Sequence, residues 1–370
     1  MTPEERVVTG QSWDDFCDQL KRAGQQIMRS EAPSDELNRA EGWRYLSRLT
    51  RIALEMHVEG SDRDFPCFYQ PSHATAKIGA DNPDNLYLRA EINGQHRYRI
   101  RGNRSSVHYL SWGSQKGGYE KDGSNAQTGF LDTSSLQLDN EGNFEVIASV
   151  AQPSHHKQTN WLPLEAESNT IIVRQTFLDR SRERPSEMTI ERIQDAGVQP
   201  QPLSAARIDQ GLASAAGFVE GTARLFANWS QSYLERPNQL PMSDQALCQS
   251  VGGDPNIVYY HSYFELAEKE ALVVHLSRIP DCENWNLQVD NYWMESLDYR
   301  YFTIHVNKHT AIYNKDGSVD IVIAPRKPNP EHPLANANWL NSAGHNNGTL
   351  CFRWIKSAER VQPETRVIKL

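Results

Sequence analysis

The sequence predicts a mainly β protein with helical additions, built as two tandem jelly-roll-like β-sandwich units from an internal duplication. Three observations carry this reading. The tripeptide Asn160-Trp161-Leu162 recurs as Asn338-Trp339-Leu340. Each copy follows an acidic-Gly turn and a strand-like run, Asn140-Glu141-Gly142 before Phe144 to Ile147 and Lys315-Asp316-Gly317 before Val319 to Val322. Glycine there supplies the positive φ that a tight turn between strands asks for. Each copy then leads into an apolar run that ends in arginine, Ile171-Ile172-Val173-Arg174 and Leu350-Cys351-Phe352-Arg353, with one extra residue between Trp and Arg in the second. Order, spacing and pattern recur together, at a period far too long for a solenoid.

A chain of 370 residues holds two or three domains. The pattern divides it into a helical N-terminal region (1–62), a first β-sandwich unit (63–200), a helical connector (201–238) and a second β-sandwich unit (239–370). In the first region, helical spacing runs from Trp13 to Ile27 and from Asp35 to about Val58, where Trp43, Leu46, Leu49, Ile52, Ala53 and Met56 share a face. Ser34 and Asp35 are N-cap candidates and Gly60 a stop. This face is expected to pack on the first β unit, with a dimer contact as the alternative.

Strand patterns follow from Leu86 to Ile92, Tyr98 to Arg101 and Val107 to Trp112, the first two joined by Asn93-Gly94, which reads as a hairpin. The stretch containing Gly117, Gly118, Gly123 and Gly129 reads as a surface loop. Phe144 to Val150, Ile171 to Leu178 and Met188 to Ile193 complete the first unit. A helix from Ala205 to about Leu234 lies between Pro202 and Pro237, and its small residues Ala213, Ala215, Ala216 and Gly217 permit close approach. In the second unit, strands are expected from Ile257 to Leu266, Ala271 to Leu276, Trp285 to Val289, Tyr301 to His305, Ala311 to Tyr313, Val319 to Ala324 and Leu350 to Trp354.

A formal charge of −9 and a pI near 5.8 argue against a nucleic-acid surface, which needs clustered Lys and Arg to displace counterions. The five cysteines are widely spaced without a C-x-x-C pair, as for reduced, packed thiols. The N-terminus lacks a secretion-signal pattern, and no run reaches the roughly eighteen apolar residues of a membrane span. The expectation is a cytoplasmic protein with a small-molecule substrate, no nucleic-acid or membrane partner, and scope for homo-oligomers. No G-x-G-x-x-G fingerprint and no G-x-S-x-G elbow occurs, so no nucleotide or flavin cofactor and no serine nucleophile is expected.

Gly102-Asn103-Arg104 before Val107-His108-Tyr109-Leu110-Ser111, then Trp285-Asn286-Leu287-Gln288, Ser296-Leu297-Asp298-Tyr299 and Asn338-Trp339-Leu340 with Ala343-Gly344-His345, form a constellation. It resembles the bacterial domain-of-unknown-function family 1214, best from Tyr259 to Trp354 and more loosely over most of the chain. The resemblance implies a double β-sandwich or jelly-roll fold and no defined reaction. Relatives of this kind occur in bacteria rich in aromatic and steroid catabolism, which directs the substrate expectation.

Duplication also acts as a filter. Residues kept by both copies, such as Trp161/Trp339, Arg174/Arg353 and Gly142/Gly317, are assigned to packing, pairing or turns. Polar residues gained by one copy are better site candidates. His345, in a loop whose counterpart is chemically different, is the first candidate for a general acid or base, weighed against a histidine that only satisfies loop carbonyls. Asp298 and Asp290 are candidate carboxylates, and Tyr299 a donor. Tyr259, His261, Trp293 and Trp339 are candidate walls of a ligand pocket. Arg99 and Arg101 share a strand face suited to a carboxylate or oxyanion, with surface ion pairs as the plainer use. The adjacent His155 and His156 point apart on a strand, so no metal site is assigned.

The expected function is therefore a cofactor-independent lyase or hydrolase acting by acid/base chemistry on a small hydroxylated, aromatic or steroid-like molecule. A carbohydrate-active enzyme is one alternative. A non-catalytic small-ligand-binding or assembly protein is the other.

Overall fold

The computed structural model describes residues 1–154, 160–194 and 197–370. The first unit comprises β1 (Asn85–Glu91), β2 (Tyr98–Asn103), β3 (Tyr109–Gly118), β4 (Ser124–Asp132), β5 (Asn143–Ser149), β6 (Asn160–Pro163), β7 (Thr170–Thr176) and β8 (Glu187–Arg192). They form two four-stranded sheets, in the orders β1-β7-β3-β4 and β6-β5-β2-β8. The second unit comprises β9 (Ile257–Glu265), β10 (Glu270–Leu276), β11 (Asn284–Asp290), β12 (His305–Asn307), β13 (Val319–Ala324), β14 (Asn338–Asn341), β15 (Asn347–Ile355) and β16 (Glu364–Lys369). Its sheets run β12-β11-β15-β9 and β14-β13-β10-β16. Adding eight to each strand number of the first unit reproduces the second, down to the parallel pairs β5/β6 and β13/β14. The duplication is thus a duplication of topology.

Alternation along the strands builds each core. Trp112, Phe144, Val146 and Val173 fill the space between the sheets of the first unit; Trp285, Phe352, Trp354 and Ile321 fill the second. The recurring tripeptide has a physical reason. Asn160 Oδ1 accepts from Gln137 N at 2.7 Å, and its Nδ2 donates to Gln137 O and Glu145 O, each at 2.9 Å. Asn338 repeats this with Ile312 N (2.7 Å), Ile312 O (2.9 Å) and Asp320 O (3.0 Å). Trp161 Nε1 donates to Ser149 O at 3.0 Å and Trp339 Nε1 to Ala324 O at 3.1 Å. The motif clips an incoming loop to a sheet by bonding backbone groups of both, Gln137 and Glu145 in one unit and Ile312 and Asp320 in the other.

Several sequence expectations change. Asn93-Gly94 does not close a hairpin, because β1 and β2 lie in different sheets. The turn carries the chain across the sandwich, and a Cβ on Gly94 would stand 2.1 Å from Glu165 O. The glycine-rich stretch is not a surface loop but the β3/β4 hairpin, whose Gly129 passes so near Pro163 O that a Cβ would lie 2.1 Å from it. Of Tyr301 to His305 only His305 is in a strand, and Ala311 to Tyr313 form none. The helical regions, distant in sequence, make one layer. It contains α1 (Pro3–Thr9), α2 (Gln11–Ile27), α3 (Glu36–Leu54) with a π-helical turn at Glu55–Glu59, and α4 (Ala205–Tyr233). Asp35 caps α3 by accepting from Asn38 N at 3.1 Å. Phe16, Ile27, Leu49, Ile52, Phe218 and Val219 share this layer's core.

The apolar face of α3 packs within this layer, on α4, and shares its core with Tyr69 and Ala76 of the segment before β1, while polar and aromatic ties of the helix reach the second unit. Trp293 Nε1 donates to Asn38 O at 3.0 Å, Arg48 pairs with Glu295 at 2.7 Å, and Glu41 with His345 at 2.7 Å. Close approach of α4 uses the expected Ala215 and Ala216, both fully buried, and also Gly211 and Gly221: a Cβ on Gly221 would lie 2.0 Å from Tyr119 O. Among the described residues, no helix is long and apolar enough to cross a membrane.

Candidate binding cavity between the two units

The outward faces of β1-β7-β3-β4 and β12-β11-β15-β9 are not left to solvent. Alternation that sends Val173 and Phe352 inward sends Arg174 and Arg353 outward, and both arginines are at most 8% exposed. Cross-strand register places Tyr87 beside Arg174 and Tyr259 beside Arg353. Each copy thus offers an equivalent Tyr–Arg pair, and all four side chains line one cavity of about 160 Å³. Phe218, Phe226 and Trp229 of α4 supply an aromatic wall, with Tyr119 packed edge-on to Phe226. Two buried amide oxygens on the lining, Asn85 Oδ1 and Asn125 Oδ1, have no hydrogen-bond partner among the described residues. A buried acceptor left unpaired is costly, so it is a candidate contact for a ligand donor.

The segment between Gly79 and Asn82 closes another side. Gly79 (φ 60°) and Ala80 (φ 55°) are both left-handed, and so is Met294 (φ 55°), whose carbonyl accepts from Ala80 N at 2.7 Å. A Cβ on Gly79 would stand 2.3 Å from Phe226 Cζ, so only glycine fits there. Strain of this kind persists where surrounding structure over-determines it, often at functional sites. It presents Asp81, whose Oδ1 accepts from Ser296 N at 3.1 Å and Oδ2 from Ser296 Oγ at 2.9 Å. Lys77 Nζ donates to the same Ser296 Oγ at 2.9 Å and sits 4.6 Å from the centre of the Tyr299 ring. Burial pushes the Asp81 carboxyl upward, against the pull of Lys77, and pushes the Lys77 ammonium downward.

His261 stacks between Tyr233 and Tyr259, with ring centroids 5.7 and 6.0 Å away and planes within 4°. Burial lowers its pKa to about 3, so the ring is neutral. Its Nδ1 is 2.8 Å from Ser243 Oγ and its Nε2 3.3 Å from Cys351 Sγ, a thiol that burial pushes up to about 12. The pair is uncharged and does not make a thiolate nucleophile.

The cavity therefore brings together Tyr259 and His261 among the residues picked from the sequence, with Tyr299 close behind through Lys77. The others lie elsewhere. His345 is buried between Glu41 and Ser342 O at the helical layer. Trp293 packs against Tyr45 and Tyr292 in that layer's core. Asp290 is fully buried, accepts from Gln288 Nε2 at 2.6 Å, and is raised by burial to about 7, but does not line the cavity. Asp298 is bound by Arg300, which holds its carboxyl at about 2. Arg99 and Arg101 pair with Glu145 and Glu191 on the outer face of β2. Trp339 serves the loop clip described above. Arg174, Arg353, Tyr87 and Asp81 were missed; the available signal was that strands β7 and β15 lack the polar alternation of a solvated face. The five cysteines are free. Among the described residues no group of three or more His, Cys, Asp or Glu side chains converges to hold a metal ion; His155 and His156 lie outside them.

Similarity to known proteins agrees with this architecture. The family model described as "Protein of unknown function (DUF1214)" matches twice, over residues 89–176 and 266–359, one match in each unit. A crystal structure of a putative uncharacterized protein from Burkholderia cenocepacia is 54% identical, with 99% of this chain and 98% of that chain covered and a TM-score of 0.94. The VPA0106 protein from Vibrio parahaemolyticus is 12% identical, with 89% and 98% covered and a TM-score of 0.47. No curated protein matches. With one family match in each half and a solved relative alike over nearly its whole length, the chain belongs to the DUF1214 family, as a tandem member carrying the domain twice.

Proposed function

We propose that the protein takes up a small hydroxylated single-ring compound in the cavity between its two units. One observation carries the reading: an aromatic-walled cavity of about 160 Å³ contains two buried amide oxygens with no donor among the described residues. An apolar cavity of about 150 Å³ is large enough for benzene, so this volume favours one ring over the fused rings of a steroid. A ligand hydroxyl would donate to Asn85 or Asn125 while the ring meets Phe226, Trp229 and Tyr259.

The test is calorimetric titration of the whole protein with phenol, catechol and cyclohexanol, alongside Ile172→Trp, which extends an outward side chain of β7 into the cavity. Saturable binding by the wild type, lost in a folded Ile172→Trp variant, supports the reading. Binding that survives the substitution places the ligand elsewhere.

A catalytic version of this reading has one observation in its favour. Asp81 is a fully buried carboxyl on the cavity wall, with its proton affinity raised by burial, which suits a group that exchanges a proton with a bound hydroxyl. This assigns the acid/base role to Asp81 rather than to His345.

A further inference from the structure

The duplication supplies an internal control for charge. Arg174 and Arg353 occupy equivalent positions on β7 and β15, and both guanidinium groups reach the same cavity. Arg174 donates to Gly252 O at 2.5 Å and has Asp254 at 3.9 Å, with both side chains buried. Arg353 donates to Gln288 Oε1 at 2.6 Å, to Asn286 Oδ1 at 3.4 Å and to Ala80 O, and its guanidinium lies 5.8 Å from the centre of the Tyr259 ring. All of these partners are neutral. Among the described residues no carboxylate lies within 4.0 Å of it.

The nearby acids are otherwise engaged. Asp81 receives both Ser296 donors and faces the buried Lys77. Asp290 is held by Gln288, and its burial favours the protonated form up to about pH 7. A guanidinium stays protonated in any protein interior, and a buried charge without a counter-ion is unfavourable because neutral partners replace only part of its hydration. The first copy's arginine has a counter-ion, Asp254 from the second unit, whereas the second copy's arginine has none among the described residues.

We infer that the cavity ligand is a monoanion, a hydroxylated single-ring carboxylate whose carboxylate pairs with Arg353 between the two units. The inference rests on the cavity being the ligand site and adds the class of compound. Arg353 fixes the charged end, and the unpaired oxygens of Asn85 and Asn125 take the hydroxyl end. The planar guanidinium, already oriented by Gln288, Asn286 and Ala80 O, has little freedom to lose on binding. Arg174, matched by Asp254, makes a second anionic group unnecessary, so a monoanion is preferred over a dicarboxylate.

The experiment compares hydroxybenzoate with hydroxybenzamide, which have nearly the same shape but differ in charge, by calorimetry on the wild-type protein at neutral pH. Hydroxybenzoate is expected to bind at least about ten-fold more tightly, as for a charge-assisted pair in place of a neutral one. In Arg353→Gln the preference is expected to vanish, and in Arg353→Lys to persist in weakened form. Equal binding of acid and amide by the wild type overturns the inference while leaving the cavity reading intact. Binding of neither overturns both. Should Arg353→Gln not fold, the wild-type comparison alone decides, together with the pH at which bound carboxyl-labelled hydroxybenzoate titrates by NMR. Pairing with Arg353 lowers that pH relative to free ligand, and an unchanged or higher value contradicts the pairing.

Discussion

The imidazole Nε2 of His345 lies 2.7 Å from Glu41 Oε2, and the pair fastens α3 to the second sandwich. Nδ1 of the same ring is 2.8 Å from Ser342 O, so the charged form of the ring has an acceptor at each nitrogen. Burial opposes the charge, but the hydrogen bond and charge of Glu41 outweigh it and raise the His345 pKa; burial likewise opposes the Glu41 carboxylate, and His345 with Arg44 nevertheless lowers its pKa. His345 therefore stabilises fully below its ordinary value of 6.5, and this is lost as pH rises through its folded value. Glu41 stabilises fully above 4.5, and this is lost as pH falls through its folded value. His345→Ala is expected to cost about 3 kcal/mol between those limits, because it strips a buried carboxylate of its main partner. Urea unfolding at about pH 5.5 and about pH 8.5 checks this, since the gap between wild type and variant must shrink at the higher pH.

The duplication was readable because its signature is chemically constrained: Asn160 and Asn338 make the same three hydrogen bonds, and Gly142 and Gly317 hold φ near 81° and 84°. The cavity was not. It is assembled from outward faces of strands in both units, from α4 and from the strained Gly79-Ala80 turn, segments that no local period links. Keeping Arg174 and Arg353 in both copies looked like packing, whereas the structure places them around a shared space, with a carboxylate beside Arg174 and neutral partners around Arg353. His345 was readable as a special histidine; its partner Glu41 stands 304 residues away on a helix that looked independent.

Asn160→Ala and Asn338→Ala are expected to lose about 1 to 3 kcal/mol each, because each removes three hydrogen bonds that tie a loop to its sheet. The two costs should be similar, since bond count and geometry are. Denaturant unfolding of the two variants tests the equivalence, and a large disparity would mean that one copy has transferred the role to neighbouring groups.

Arg99 and Arg101 make the opposite case. Their side chains are 31% and 57% exposed, and their partners Glu145 and Glu191 are also in water. The double variant Arg99→Ala/Arg101→Ala is expected to lose no more than about 1 kcal/mol and to bind cavity ligands as the wild type does. Reduced ligand affinity in this variant would return these arginines to the site.

His261 is neutral in the folded protein, with its pKa lowered to about 3 by burial, whereas the unfolded chain protonates it near 6.5. Stability is therefore lost as pH falls from 6.5 toward 3, at up to about 1 kcal/mol per pH unit. His57, lowered to about 4, adds to the same trend. His261→Phe retains a ring between Tyr233 and Tyr259 but removes one titration, so its stability should fall less steeply below pH 6.5 while running parallel to the wild type above it. Identical slopes in acid would show that the ring is protonated in the native state.

Asp81 separates a binding protein from an enzyme. Asparagine has nearly the same shape and can still accept from Ser296 N, but it cannot take up or release a proton. Asp81→Asn is therefore expected to retain ligand affinity within a few-fold and, if the bound hydroxyl is the reacting group, to lower turnover about a hundred-fold or more. Circular dichroism must first show a folded variant, because the buried Lys77 loses the carboxylate that most favours its charge. Retained binding with unchanged turnover removes Asp81 from the chemistry. Retained binding with no turnover in either protein favours a cavity that holds its ligand without reacting with it.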